Sequence, residues 1–324
     1  MLRCGQETEN TMRLFIQVPC LNEEQTLPLV LRDIPKKIAG IDEIHVVVID
    51  DGSDDKTVEV ARKHGVTHFV HHPKRRGLAQ SFQDGMLYCL KQGADIIVNT
   101  DGDNQYPSGD IPRLIEPILA GRADMVIADR QVQKIAHFST GKKLFQKLGT
   151  WTLNKAAHTN LPDGPSGFRA YSRETALRLN VVTRFSYAME TIIQAGNNGI
   201  AIESVKIEVN PKTRESRLFN SSAEHVVRSG GAIFRAFVMY RPYALFLSLG
   251  IMLFIIGAIP FGRFLWGFFD DQAGGHIQSL IFGLVFMIGA LISFTLGVIA
   301  DLVRINRVTI EKQLELARRM YVEK

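Results

Sequence analysis

The sequence predicts an α/β fold, in which a mostly parallel, Rossmann-like sheet flanked by helices precedes a pair of membrane-spanning helices. Three observations carry this prediction. Short apolar runs alternate with helix-length segments over the first half of the chain, a pattern typical of a doubly wound sheet. Polar motifs follow three of these runs, at the positions where such sheets bind ligands. Two long uncharged runs then fall in the last quarter of the chain.

The strands are predicted from the apolar runs. Residues 44–49 form a nearly continuous apolar run, as expected of a strand buried on both faces of a parallel sheet. Residues 201–209 alternate in the manner of an edge strand. The predicted strands are 14–18, 44–49, 67–71, 95–100, 124–128 and 201–209, and the predicted helices are 24–39, 58–64, 77–92, 111–120, 174–179 and 188–197.

An acidic motif after the 95–100 strand is the strongest indication of a site. Asp101 and Asp103 can converge on one hard cation, and Mg²⁺ bound by one or two carboxylates completes its shell with substrate phosphates. Gly102 between them has no side chain, so the backbone there can come close to a ligand of that cation. The alternative is a solvated acidic turn, which becomes less attractive because two further polar motifs are predicted at the same edge of the sheet. These motifs are residues 19–23 and 50–53.

Composition narrows the class of partner. The net charge of +5 and the pI of about 9.1 suit an anionic membrane surface or a phosphorylated ligand. There is no basic helix with interleaved aromatic residues and no zinc-ligand spacing, so we expect no nucleic acid partner. The cysteines Cys4, Cys20 and Cys89 are scattered, which favours a reducing compartment without structural disulfides. Residues 1–12 lack the apolar segment of a signal peptide and are expected to be flexible.

The middle of the chain is less regular. Residues 134–157 form a basic segment that we expect to be partly helical, with a solvated face as the equal alternative. Residues 163–169 form a tight loop punctuated by glycine and proline. Residues 210–220 form a polar loop that contains Arg214 and Arg217.

The last hundred residues predict a membrane anchor. Residues 221–242 have the apolar spacing of a helix that lies on a membrane surface. Residues 243–264 and 277–300 are each long enough to span a bilayer core of about 30 Å, a buried core helix being the alternative. Arginines flank the pair on the outside, which predicts that both termini and the catalytic domain are cytoplasmic. Residues 301–324 are predicted to form a charged cytoplasmic helix.

Together these motifs resemble the family 2 glycosyltransferases of GT-A fold. Within that family they resemble the membrane-anchored bacterial branch of the polyprenyl-phosphate glycosyltransferases, the dolichol-phosphate mannose synthase-like group. The resemblance places the GT-A catalytic domain at residues 13–220. One departure is that the family more often has Ala and Leu where this chain has Gly102 and Asn104. The matching segments are residues 18–23, 48–57, 76–79, 101–107 and 166–169.

The resemblance implies an inverting, metal-dependent transfer of a sugar from a nucleotide-sugar donor to a polyprenyl phosphate of undecaprenyl or dolichyl type. The reaction would take place at the cytoplasmic face of the cell membrane, with membrane lipids as further partners. Both a homo-oligomer and a monomer stay open. The implied cofactor is Mg²⁺ or Mn²⁺. The implied metal ligands are Asp101, Asp103 and Gln105, and the implied catalytic residues are Asp101, Asp103, Asp163 and Arg130.

The resemblance also implies two binding regions. Pro19, Asn22, Glu23, Asp50, Asp51 and Asp101 would bind the nucleotide sugar. Arg130, Lys142, Lys143, Ser166, Arg169, Arg214 and Arg217 would bind the acceptor phosphate, since arginine suits phosphate geometry. For Asp163 the alternative is that it caps its own turn.

Four other functions are alternatives to this one. A processive polysaccharide synthase would carry a Gln-x-x-Arg-Trp motif, and neither Trp151 nor Trp266 is preceded by arginine. Transfer to another lipid or polysaccharide acceptor stays open, as does a catalytically silent membrane adaptor, although the intact acidic pair argues against the adaptor. A dinucleotide-dependent dehydrogenase is disfavoured because no G-x-G-x-x-G follows the first strand.

Overall fold

The computed structural model describes residues 11–131, 147–181, 187–211, 242–269 and 277–322, apart from residues 148, 152 and 156. The chain divides into two compact units. The first takes its described residues from 11–211 and from the last part of the chain, 314–322. The second takes them from 242–313. Most of the predicted interfacial helix, residues 221–241, and most of the predicted flexible N-terminus lie outside the described residues.

Seven strands form one sheet in the first unit. They are β1 (Arg13–Cys20), β2 (Glu43–Asp50), β3 (His68–His71), β4 (Ile96–Asn99), β5 (Met125–Asp129), β6 (Arg169–Ser172) and β7 (Ile202–Lys206). Their order across the sheet is β3-β2-β1-β4-β6-β5-β7. Only β6, among the described strands, runs against its neighbours. The mostly parallel sheet expected from the sequence is therefore confirmed, and β7 lies at its edge as predicted.

Six helices accompany the strands in the first unit. They are α1 (Leu27–Asp33), α2 (Thr57–Lys63), α3 (Leu78–Lys91), α4 (Ile111–Leu119), α5 (Arg173–Arg178) and α6 (Tyr187–Asn197). The first ends six residues earlier than the predicted end at 39. Proline disfavours helical backbone at the residue before it, and Ile34, which precedes Pro35, is extended with ψ 123°.

The core of the first unit lies on both faces of the sheet. On one face, Leu14, Ile16 and Val18 of β1 pack in a buried cluster with residues of α1 and α4. On the other face, α3 approaches so closely that a Cβ on Gly85 would lie 2.4 Å from the Gln17 side-chain oxygen. A larger residue than glycine would therefore separate α3 from the sheet.

The second unit contains α7 (Pro242–Phe269) and most of α8 (Ile277–Val322). Both helices are long and apolar enough to cross a membrane, each with a mean hydropathy of 2.4 over its most apolar window. Small residues lie where they meet, as is common between membrane helices: a Cβ on Gly257 would lie 2.9 Å from the backbone oxygen of Gly283. The Ser293 hydroxyl also donates to the Phe246 carbonyl at 2.7 Å.

The end of α8 differs from the prediction. A separate helix was expected over 301–324, whereas α8 continues without a break from the apolar run to Val322. Its last residues belong to the first unit. There the guanidinium of Arg318 donates to the Leu179 carbonyl and to the side chain of Asn180, and Arg319 pairs with Glu174.

Candidate active site

The polar loops predicted to form a site do meet at one edge of the sheet. β1, β2, β4 and β5 all end there because they run in the same direction. A Cβ on Gly102, in the turn after β4, would lie 3.0 Å from Cys20 Sγ and 3.2 Å from the Glu23 side chain. A Cβ on Gly167, before the antiparallel β6, would lie 3.0 Å from a carboxylate oxygen of Asp101. The turn after β4 therefore packs against the end of β1 with its following loop and, at Asp101, against the loop before β6.

Asp101 and Asp103 lie side by side in the turn after β4. Burial and the charge of Asp103 raise the pKa of Asp101 to about 7, while the nearby charge of Arg130 opposes this rise. One oxygen of Asp103 accepts a hydrogen bond from the backbone N–H of Gln105 at 3.0 Å. Asn104 between them has a φ of +59°, in the left-handed region that asparagine enters more readily than leucine. This conformation accounts for the departure at position 104.

The donor set suits a divalent ion that is shared with a substrate. Among the described residues, no group of three or more His, Cys, Asp or Glu side chains could by itself hold a metal ion. Asp101 and Asp103 offer hard carboxylate oxygens, and burial together with the charge of Asp103 disfavours the ionised form of Asp101, which a bound cation would stabilise. An ion bound by one or two carboxylates and substrate phosphates matches the usual coordination of Mg²⁺. The two residues therefore fit the expected metal.

Asn22 and Glu23 join the loop after β1 to the loop after β2. The backbone N–H of Asn22 donates to the Ser53 hydroxyl at 3.0 Å, and its side-chain oxygen accepts from the Asp54 backbone at 2.8 Å. The Glu23 backbone donates to the Thr57 hydroxyl at 2.8 Å. These contacts fix the shape of the loop proposed to receive the nucleotide. Pro19, which the sequence placed in that loop, is buried and lies within the last residues of β1.

Asp50 and Asp51 are both buried at the end of β2. The carboxylate of Asp50 accepts from the backbone of Ser53 at 3.0 Å and contacts Nδ1 of His71 at 2.7 Å. The carboxylate of Asp51 accepts from the backbone N–H groups of Arg76 and Gly77, at 2.8 and 2.9 Å. Asp51 therefore anchors the turn that begins α3.

His72 completes this anchor and was not singled out from the sequence. Its ring nitrogens lie 2.9 Å from Asp51 and 3.0 Å from Asp84. Burial alone would raise the pKa of Asp51. The hydrogen bonds from His72 and from the backbone outweigh that effect and lower the pKa. The pairing of β2 with β3 could have indicated this contact. It places Asp50 opposite His71, and therefore brings Asp51 close to His72.

Arg130 and Asp163 form a salt bridge beside the acidic pair. Nε and Nη2 of Arg130 donate to the two carboxylate oxygens of Asp163, at 2.7 and 2.9 Å. Only 1% of the Asp163 side chain and 15% of the Arg130 side chain are exposed. Arg130 therefore has a carboxylate partner, while Nη1 takes no part in this pair.

Arg169 is fully buried and holds the loop before β6. Its guanidinium donates to the carbonyl oxygens of Ser166, Gly164 and Ala188, at 2.6 to 2.8 Å, and to the Thr191 hydroxyl at 2.7 Å. These bonds connect the 164–167 loop to α6. The geometry favours a positioning role for Arg169 over direct contact with an acceptor phosphate.

Residues not assigned from the sequence also hold this loop. The Tyr106 hydroxyl accepts from the backbone N–H of Gly167 at 2.9 Å, and the Asn99 side chain donates to the Gly167 carbonyl at 2.9 Å. Ser166 is fully buried, and its hydroxyl has no hydrogen-bond partner within the described part of the chain. The remaining expected acceptor residues, Lys142, Lys143, Arg214 and Arg217, lie outside the described residues.

Solved structures share this fold. Glucosyl-3-phosphoglycerate synthase from Mycobacterium tuberculosis, crystallised with Mn²⁺, uridine diphosphate and glucosyl-3-phosphoglycerate, superposes with a TM-score of 0.54. The match covers 70% of this chain and 79% of that one, at 21% sequence identity. This likeness shows the fold: a GT-A-like, mostly parallel sheet with the acidic turn at its carboxyl edge.

Sequence comparison gives the family. The family model described as glycosyl transferase family 2 matches residues 15–178, about half of the chain. The chain therefore belongs to glycosyl transferase family 2, as its motifs predicted.

Several curated proteins are similar to this chain in sequence. An uncharacterized protein of Methanocaldococcus jannaschii is 31% identical over 61% of this chain and 82% of its own length. The undecaprenyl-phosphate mannosyltransferase of Micrococcus luteus is 29% identical over 55% of this chain and 75% of its own. The polyprenol monophosphomannose synthase of Mycolicibacterium smegmatis is 24% identical over 61% and 77%. The resemblance to polyprenyl-phosphate glycosyltransferases is thereby confirmed.

Proposed function

We propose that this protein transfers a hexose from a nucleotide-sugar donor to a polyprenyl phosphate, with inversion at the sugar carbon and with the help of a divalent metal ion. The observation that carries the proposal is the juxtaposition of an acidic pair, Asp101 and Asp103, with Arg130 at one sheet edge. Relatives named for transfer to undecaprenyl, polyprenol or dolichyl phosphates support the choice of acceptor.

On the donor side, the loops after β1, β2 and β4 receive the nucleotide. Asn22, Glu23 and Asp51 give these loops their shape through the hydrogen bonds described above. Asp101 and Asp103 would hold Mg²⁺ or Mn²⁺, with Gln105 as a further ligand. The ion would neutralise charge on the departing nucleoside diphosphate.

On the acceptor side, the phosphate is its own nucleophile. A phosphate monoester has a second pKa of about 6, so one of its oxygens is anionic near neutral pH and needs little help from a general base. That oxygen would attack the anomeric carbon from the face opposite the diphosphate, and the sugar–diphosphate bond would break as the new bond forms. Nη1 of Arg130 is the group we propose to bind this phosphate, since Nε and Nη2 are engaged by Asp163.

The acceptor is held in a membrane, and the chain carries two helices that fit one. We propose that α7 and α8 span the cell membrane, with the catalytic unit and both termini on the cytoplasmic side. Arg304, Arg307 and Lys312 follow the apolar part of α8, and arginines precede α7. This distribution agrees with the preference of positive charge for the cytoplasmic side.

A panel of radiolabelled sugar nucleotides, offered to the purified protein in nanodiscs with polyprenyl phosphate, tests the proposal. We expect label from one or a few donors in an organic-soluble product, dependent on both the lipid phosphate and a divalent ion. The configuration at the anomeric carbon of the product should be opposite to that of the donor. Label in a water-soluble polymer, or transfer that is indifferent to the lipid phosphate, would overturn the proposed acceptor.

A further inference from the structure

A short helical segment before the 161–167 loop presents an exposed basic and aromatic face. Its described residues between 147 and 157 are helical. Lys147, Trp151 and Lys155 follow one another at intervals of four, so they share one face of the helix. All three are exposed, and Trp151 is 58% exposed. The Lys155 ammonium lies 5.3 Å from the centre of the Trp151 ring. These three residues are called the KWK stripe below.

The other side of the same segment is packed into the catalytic unit. Leu153 is buried and lies so close to Gly164 that a Cβ there would be 2.4 Å from it. Ala157 is fully buried, and a Cβ on Gly196 of α6 would collide with its carbonyl. Because the packed side fixes the helix in place, the KWK stripe is held facing solvent. A large indole is costly to leave in water without a partner.

We propose that the KWK stripe docks on an anionic lipid surface. Tryptophan is enriched at membrane–water interfaces, and lysines near a surface are attracted by anionic lipid headgroups. The surrounding sequence has the complementary charge. From residue 130 to residue 162 there is no aspartate or glutamate, and there are six lysines or arginines: Arg130, Lys134, Lys142, Lys143, Lys147 and Lys155. A second protein surface is a different occupant, which the experiment below separates from lipid.

Docking at this stripe would act directly on the candidate site. The side chain of Asn154, on the same helix, donates to the Leu161 carbonyl at 2.9 Å and accepts from its N–H at 3.0 Å. The 161–167 loop then leads to Gly167, which lies against Asp101. Contact of the stripe with the bilayer would therefore bring this loop to the lipid surface. The inference concerns the membrane surface and holds whichever sugar is transferred.

The chain has only two tryptophans, which allows a direct optical test. In the Trp266→Phe variant, Trp151 is the sole indole and its fluorescence reports on the stripe alone. The full-length protein is reconstituted in nanodiscs of phosphatidylcholine, with or without phosphatidylglycerol, and with lipid brominated near the headgroup. With phosphatidylglycerol we expect emission shifted to the blue and quenched by the brominated lipid. Raising the salt concentration should reduce the quenching, since it screens the lysines.

A matched pair of charge reversals identifies the source of the attraction. Lys147→Glu with Lys155→Glu should abolish the quenching. Lys36→Glu with Lys37→Glu, at exposed positions elsewhere on the same unit, should leave it unchanged. Equal thermal melting of the two variants excludes unfolding as the cause. Emission typical of water without quenching would refute the docking. A blue shift without bromine quenching would also refute it, because it would place a protein rather than lipid on the stripe.

Discussion

Arg130 binds both carboxylate oxygens of Asp163, through Nε at 2.7 Å and Nη2 at 2.9 Å. The backbone N–H of Arg130 adds a third hydrogen bond to the same carboxylate at 3.2 Å. Asp163 is almost wholly buried, and Arg130 forms a bidentate ion pair with it. The pair joins the end of β5 to the loop that leads toward β6. Pairing with a carboxylate and binding of the acceptor phosphate are therefore both open to Arg130, and they can be separated.

We expect Arg130→Ala to impair acceptor use and to destabilise the protein. Removing one member of a buried ion pair costs about 3–5 kcal/mol, because the remaining buried charge loses the ion that compensates it. Loss of a charged hydrogen bond to phosphate would separately weaken acceptor use by about one to two decades. Thermal melting measures the first effect, and the KM for polyprenyl phosphate measures the second.

The double variant Arg130→Ala with Asp163→Asn is the control for this experiment. Neutralising Asp163 removes the stranded charge, so the melting temperature should recover. If Arg130 also binds the acceptor, the KM for polyprenyl phosphate should stay high while donor affinity stays near that of the wild type. Recovery of acceptor use together with stability would assign Arg130 a structural role alone.

Asp103→Asn should nearly abolish transfer while leaving the fold intact, because it removes one of two proposed metal ligands. A chelator should do the same to the wild type, and Mg²⁺ or Mn²⁺ should restore activity. Bound metal requires an ionised carboxylate, and the pKa of Asp101 is about 7. Metal affinity measured by calorimetry should therefore fall as the pH is lowered through 7. Full activity in excess chelator would refute the proposal that Asp101 and Asp103 bind a metal ion required for transfer.

Asp51 should contribute stability at neutral pH that is lost in acid. Folding lowers its pKa, so the unfolded chain binds the proton more readily than the folded chain does. The contribution is fully present above the unfolded pKa of about 3.9 and disappears as the pH falls through the lower folded value. The melting temperatures of wild type and Asp51→Asn should therefore differ at neutral pH and converge in acid. A difference that does not vary with pH would contradict this account.

The sequence was informative where the physics is local. The buried runs of β1 and β2 are nearly continuous in apolar residues, so their strands were predicted to within two residues of their observed ends. The acidic motifs were placed correctly at the carboxyl edge because parallel strands share that edge. β6 was missed: it is short, it follows a glycine-rich loop, and it pairs antiparallel with β4 and β5, whose residues lie far away in sequence.

Roles that depend on tertiary contacts were harder to predict. Arg169 belongs to a motif that resembles an acceptor loop, but its guanidinium donates to the Gly164 carbonyl in that loop and to the Ala188 carbonyl in α6. The pairing of Arg130 with Asp163 spans 33 residues, and from the sequence Asp163 could also have capped its own turn. His72 carried no motif at all, and it acquires its role because Asp51 and Asp84 approach its two ring nitrogens from different elements.

The proposed topology predicts different labelling of two engineered cysteines. Cys20 and Cys89 are buried, and Cys4 is replaced by serine, so that an impermeant thiol reagent meets only the new residue. Gly274→Cys, between the two spans in sequence, should be labelled in intact cells. Ser222→Cys, before the first span, should be labelled only after the membrane is opened. Both positions lie outside the described residues, so the prediction rests on the flanking charges. The reverse pattern would refute the orientation.

Gly102 is closely surrounded by its neighbours, so a side chain at this position should disturb the proposed donor site. A Cβ there would lie 3.0 Å from Cys20 Sγ, 3.2 Å from Cγ of Glu23 and 3.4 Å from the Pro19 carbonyl. We expect Gly102→Ala to cost about 1–3 kcal/mol, as overpacking usually does, and to raise the KM for the nucleotide sugar.

Cys20→Ala tests whether this close contact is the cause. It removes the nearest atom, so Gly102→Ala should cost less in the Cys20→Ala background than in the wild type. The two single variants and the double variant form a double-mutant cycle. In such a cycle, residues in contact commonly show a coupling free energy of about 0.5–3 kcal/mol, whereas independent sites show almost none. Partial recovery is expected, because Glu23 and Pro19 still limit the space. If the two substitutions are instead additive in melting temperature and in the KM for the donor, packing against Cys20 does not explain the glycine at this position.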